Sequence, residues 1–437
     1  MTFNLDHLGN QRTRAFLAPN LQEAIGEILM AKKSNPNNSR AIRKMKRQAS
    51  SDSPNPPFSK KLAATYEEKA MSLTQKGDIA VAQKYFRRLL ALNERRYGPE
   101  SPEIICSLNN LGTNLAMSGD SKGAKILFDR LIAILENNFP PDHPDTIYSL
   151  TNAAQNLYNL KDYATAESLF SRVLAVNERN SETNTPMSMR VASSLAASIA
   201  EQGRHNEAIA RFRKILPLQE DSIGPEHPDV LITKGRFADS LAANGDNEGA
   251  RELYVSLVAS NEKVYGPESR ESIEARVDLF NHLVSIGDRP TAVTLGQRLL
   301  PVLIRVMGPD HSLTLNTANS LAVSFSILEH PKEAFNLFNQ VIAANQRLYG
   351  SASELTLEVT LNYALSLIKG NELEKARDIL VKNLPIVNRV YGATHLMTYQ
   401  FTAHLANTLS SLGDEEGCDD ILTRYPLPSS YPLPSSS

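Results

Sequence analysis

Six glycines set a ruler along this chain. Gly98, Gly224, Gly266, Gly308, Gly350 and Gly392 are separated by 126, 42, 42, 42 and 42 residues, so all six fall on one 42-residue period. The two skipped marks fall at Pro140 in NFPPDHPD and Glu182 in RNSETNTP, and no insertion or deletion breaks the register from Gly98 to Gly392. A fixed period of this size predicts an array. One unit cannot bury its own apolar face, and stacking on its neighbours does so.

Each period reads as two helices. In IICSLNNLGTNLAMSGDSKGAKILFDRLIAILENNF, Leu108, Leu111 and Leu115 lie three and four apart, as do Ala124, Leu127, Phe128 and Leu131. That spacing puts each set on one helical face. Gly119-Asp120 supplies the turn between them, and PDHPD separates the pair from the next, with Asp145 as a candidate cap. Single slots can then be followed along the chain. The first helix carries a small residue at Ala70, Gly112, Ala154, Ala196, Ala238, Ala322, Ala364 and Ala406, and the second carries alanine from Ala82 to Ala376. An aromatic slot runs through Phe86, Phe128, Phe170, Phe212, Tyr254 and Phe338. Nine helix pairs are predicted from about residue 63 to 424. Repeat six breaks both slots, with Phe280 where a small residue belongs and Gly296 where a ring belongs. The two exceptions are expected to compensate by volume.

A second period of 84 residues lies inside the first. His143, His227, His311 and His395 alternate with Ser101, Thr185, Ser269 and Ser353 in one slot, and Pro217, Pro301 and Pro385 recur ten residues before a histidine. Successive histidines stand two repeats apart, on the order of 20 Å for helices packed 8–10 Å apart. A shared zinc needs ligands within about 2 Å of the metal. The histidines are therefore read as caps or loop packing, and the prolines as kinks in the last turns of the second helices.

These slots resemble the tetratricopeptide repeat (TPR). The 42-residue period, LNNLG at 108–112, GD at 119–120 and PDHPD at 141–145 are similar to the kinesin-light-chain type of that family. The resemblance implies an all-α, right-handed superhelical α-solenoid of about nine helix-turn-helix repeats, spanning residues 62–424. It also implies that the first helices line a concave groove that binds a peptide or helix of a partner protein. The inward candidates flank the small slot: Asn109, Asn110, Thr113, Asn152, Gln155, Ser193, Ser194, Arg236, Asp239, Asn281, Asn319 and Asn362. An amide both donates and accepts, so it can bond a peptide backbone with limited demand on side chains. The plainer reading is a row of solvated polar positions. The lysine–asparagine arrangement by which some TPR domains clamp a terminal carboxylate is not matched. Kinesin light chains also carry a long heptad coiled coil before their repeats, and the 61 residues upstream here are too few and too proline-rich to supply it.

Charge divides the chain. Residues 1–61 carry a net +7 and the remainder a net −9. The acidic body argues against nucleic acid as its partner. Residues 20–31, NLQEAIGEILMA, put Leu21, Ile25, Ile28 and Leu29 on one helical face. Residues 32–61, with nine basic side chains, are read as a disordered linker. KK at 32–33 with RKMKR at 43–47 resembles a bipartite nuclear-import signal, and RQAS at 47–50 a kinase target. The tail, residues 425–437, is a tandem YPLPSS. It favours polyproline II and reads as a linker or as a ligand for an aromatic groove.

The N-terminus shows no apolar signal core, and no apolar run approaches the ~18 residues of a membrane helix. Cys106 and Cys418 give neither a disulfide framework nor a zinc set. A cytoplasmic protein is expected, with nuclear import where the host has a nucleus. No GxSxG, HExxH, P-loop or strand-linked GxGxxG is present, so neither catalysis, a cofactor nor a small-molecule substrate is expected. The leading expectation is an interaction scaffold. The rivals are a protein led to nucleic acid or membrane by its basic arm, and an assembly part that uses the array's ends or convex face.

Overall fold

The computed structural model describes residues 58–180 and 182–428. They form eighteen α-helices and no strand. The segment 20–31, the arm through residue 57 and the tail beyond 428 lie outside the described residues. The first helix begins at Phe58, so the last four residues assigned to the basic arm are helical.

The chain divides into two compact units, one running to Ser222 and one starting at Ile223. The first holds four helix pairs: α1 (Phe58–Gln75) with α2 (Ile79–Tyr97), α3 (Ile105–Met117) with α4 (Ser121–Asn138), α5 (Pro144–Asn159) with α6 (Tyr163–Arg179), and α7 (Pro186–Ala200) with α8 (His205–Ile223). The second holds five: α9 (Pro228–Ala243) with α10 (Asn247–Tyr265), α11 (Arg270–Ser285) with α12 (Arg289–Val306), α13 (Ser312–Ile327) with α14 (Pro331–Tyr349), α15 (Glu354–Lys369) with α16 (Leu373–Tyr391), and α17 (Leu396–Ser411) with α18 (Glu415–Arg424). Among the described residues no helix is long and apolar enough to cross a membrane.

The repeated slots are the core. Ala82, Ala124, Ala166, Ala208, Ala250, Ala292, Ala334 and Ala376 are all fully buried, and so are Phe128, Phe212, Phe338 and Leu380. A side chain of one carbon lets the paired helices approach, and the ring beside it fills the remaining space.

The turns explain the recurring YGPES-like hexamer. Gly98, Gly266, Gly350 and Gly392 end their helices at φ between 87 and 94° and ψ between 156 and 164°. Only glycine occupies that region readily. A hydroxyl three residues past the next cap then closes the loop. Ser272, Thr314, Thr356 and Thr398 donate to the carbonyls of Gly266, Gly308, Gly350 and Gly392 at 2.7–2.8 Å. The histidines serve as caps. Nδ1 of His143, His227, His311 and His395 each accepts from the backbone N–H two residues on, at 3.2 Å. In alternate repeats the hydroxyls of Thr185, Ser269 and Ser353 accept instead from the N–H three residues on. Cap residues need only an acceptor of the right reach.

Within each pair, the turn is left-handed. All nine residues of that slot have positive φ, including Lys161, Glu329 and Asn371 at 60–64°. The next residue is a capping aspartate in five repeats, where Asp120, Asp162, Asp246, Asp288 and Asp414 accept from the N–H three residues on. The helices α8, α12 and α16 run on past Pro217, Pro301 and Pro385 to Ile223, Val306 and Tyr391. The expected loosening of their last turns therefore does not end them.

Candidate peptide-binding faces

The candidate residues sit two or three residues before and one after the small slot of each first helix. That places them beside the buried seam, half-covered by the neighbouring repeat. The structure sorts them by what they already touch.

In the first unit, Thr113 accepts from Asn156 Nδ2 at 3.1 Å. Gln155 accepts from Ser194 Oγ at 3.3 Å and donates to Asn159 at 3.3 Å. The bonds from Asn156 and Ser194 link one first helix to the next, and that to Asn159 lies within α5. Ser193 and Ser194, candidates for the same face, are buried at 2% and 5% exposure. Burial there follows from α7, whose residues Ser193 to Ala200 are all buried. Asn109, Asn110 and Asn152 differ. Their side chains are half-buried and make no hydrogen bond to another described residue. The Oδ1 atom of Asn109 is itself buried and has no partner among the described residues. A buried acceptor left unpaired costs about 1–3 kcal/mol.

In the second unit, Asp239 accepts from the Tyr254 hydroxyl at 2.6 Å, which ties α9 to α10. Arg236 is half-buried and engaged. Asn281, Asn319 and Asn362 resemble the first unit's asparagines, half-buried and without a side-chain hydrogen bond to a described residue. Asn319 lies in the slot of Asn109, and its Oδ1 too is buried and unpartnered. The amides stay open while the hydroxyls, the glutamine and the aspartate are engaged by neighbours.

One residue of this row was missed. His404 on α17 occupies the slot of Asn110, Asn152 and Asn362, which extending the ruler to the ninth repeat would have found. Burial pushes its imidazole below the ordinary histidine range. Elsewhere the electrostatics are those of packing. Lys125 on α4 bonds Asp162, the cap of α6, and this bond raises the lysine. Burial opposes ionisation of Asp162, yet hydrogen bonds from Lys125 and Thr165 hold it below the usual carboxylate range.

No cluster of three or more His, Cys, Asp or Glu among the described residues could hold a metal ion. Both cysteines are free thiols. Burial, then Glu415, Asp419 and Asp414, push the Cys418 thiol up, the reverse of what activates a nucleophile.

Comparisons with known proteins agree with this architecture. The tetratricopeptide repeat family matches residues 61–137 and 188–263 in one form and 151–223 in another. Among solved structures, the apo form of RapI superposes with a TM-score of 0.56 at 8% identity, covering 74% of this chain and 86% of that one. The apo form of the quorum sensor NprR from B. thuringiensis gives 0.52 at 13% identity, covering 84% and 97%. A kinesin light chain of Podosopora anserina with nearly identical TPR-like repeats gives 0.43 at 21% identity, covering 46% and 95%. No curated protein matches the sequence. At these identities the likeness is one of fold.

Proposed function

We propose that this chain, which carries tetratricopeptide repeats, is an interaction scaffold or adaptor, not an enzyme, which holds an extended segment of a partner protein against its first helices. The observation that carries this reading is the open amides of Asn109, Asn110 and Asn152. Each can both donate to and accept from a peptide backbone. Asn110 and Asn152 stand one repeat apart, roughly 8–10 Å for packed helices, which is about three residues of extended chain. A ligand held at such intervals is gripped by its backbone. The reading favours a soluble protein of the cytoplasm.

The test is an affinity pull-down with the intact chain and with Asn109→Ala/Asn110→Ala/Asn152→Ala, after both are shown to fold. Loss of partners from the variant supports the reading. The same partners on both proteins would move function to another surface.

A further inference from the structure

An open apolar groove of about 500 Å³ lies among α12, α13 and α14 of the second unit. Its walls are Leu300, Pro301 and Ile304 of α12 and Leu337 of α14, and its floor is Leu321 and Phe325 of α13. The sequence shows why it opens here. The slot of Ile304 holds glutamate in the five preceding repeats, at Glu94, Glu136, Glu178, Glu220 and Glu262. Where Glu94 and Glu136 stand, they bridge to Arg130 and Arg172 on the next second helix, at 2.6 and 2.8 Å. In repeats six and seven those two places hold Ile304 and Gln340. An ion pair that would span the gap is replaced by an isoleucine that is 42% exposed.

We propose that this groove takes the chain's own tail, with Tyr431–Pro434 as the occupant. Three observations converge on it. The tail is uncharged and carries only Tyr, Pro, Leu and Ser after residue 424, which suits an apolar groove whose one ionisable wall residue is Glu333. Its first residue already seats on the array, where Tyr425 packs against the cluster of Leu405, Leu409 and their neighbours. The register also fits. Arg424 is three periods beyond Arg298, so the chain leaves α18 level with the part of α12 that lines the groove. The groove is two to three second helices away, on the order of 25 Å. A polyproline II segment advances about 3.1 Å per residue, which brings residues 431–434 roughly 19–28 Å from Tyr425. Tethering supplies the high effective concentration that a short apolar segment needs.

The experiment places p-benzoylphenylalanine at position 431 of the full chain and maps photo-cross-links by mass spectrometry, in a mixture of isotopically heavy and light copies. The expected result is cross-links to 297–304 and 333–337 within single copies. Ile304→Glu, which restores the residue of five other repeats, should abolish them while leaving the melting temperature unchanged. Leu433→Asp, which alters only the tail, should abolish them as well. Cross-links elsewhere, cross-links joining heavy to light copies, or cross-links indifferent to both substitutions would each overturn the proposal.

Discussion

The ring of Phe280 stands where a side chain on residue 296 would have to go. A β-carbon added to Gly296 would lie 2.8 Å from Cε2 of that ring and 3.0 Å from Leu321 Cδ1. Repeat two shows the same contact with the partners exchanged: a β-carbon on Gly112 would lie 2.9 Å from Cε1 of Phe128. Residues 112 and 280 share one slot, and 128 and 296 the other. One ring fills one space, from whichever helix supplies it.

That exchange predicts strong coupling. Phe280→Ala alone should cost about 3–5 kcal/mol, because it empties a fully buried site. Gly296→Phe alone should also destabilise, because the space is taken. The double variant restores the common pattern and should recover most of the loss. Denaturant unfolding in a double-mutant cycle reads the coupling, and additive costs would contradict it.

The two turn slots predict opposite signs for glycine exchange. Gly266→Ala, at φ 87° and ψ 156°, should cost on the order of 1–3 kcal/mol. Glu329→Gly should instead stabilise by about 1 kcal/mol, since Glu329 is held at φ 64°. Thermal unfolding of the two variants beside the parent measures both.

The histidine caps predict that hydroxyls can replace them. His311→Ala should lose about 1 kcal/mol, the ordinary worth of a cap. His311→Ser should restore most of it, since Ser269 and Ser353 cap the same slot one repeat away on either side. Zinc should leave the unfolding of all three proteins unmoved. A zinc-dependent rise in melting temperature that His311→Ala removes would contradict the capping assignment.

Half-buried His404 predicts a loss of stability in acid. Its folded pKa is lowered, so the unfolded chain takes up the proton first. Its contribution is fully present above the unfolded value of about 6.5 and is lost as the pH falls below it, towards the folded value. His404→Gln should flatten that part of the profile. An unchanged slope in urea titrations between pH 7 and pH 5 would show that other groups carry it.

The period, the nine helix pairs, the slots that pack them and the turns that need glycine were legible in the residues alone. These are local or strictly periodic: an α-helix shows its face every three or four residues, and a fixed register carries each slot through the array. The residues also located the Phe280–Gly296 exchange, since two exceptions in one repeat are visible without coordinates. Which polar candidates are engaged depends on how the helices pack. Thr113, Gln155 and Asp239 are engaged by Asn156, Ser194 and Tyr254, which lie 15 to 43 residues away. Whether such atoms come within 3.5 Å depends on how the helices are rotated and offset, which periodicity leaves free. The burial of Ser193 and Ser194, the division after Ser222 and the groove between α12 and α14 arise in the same way, from the distances between elements.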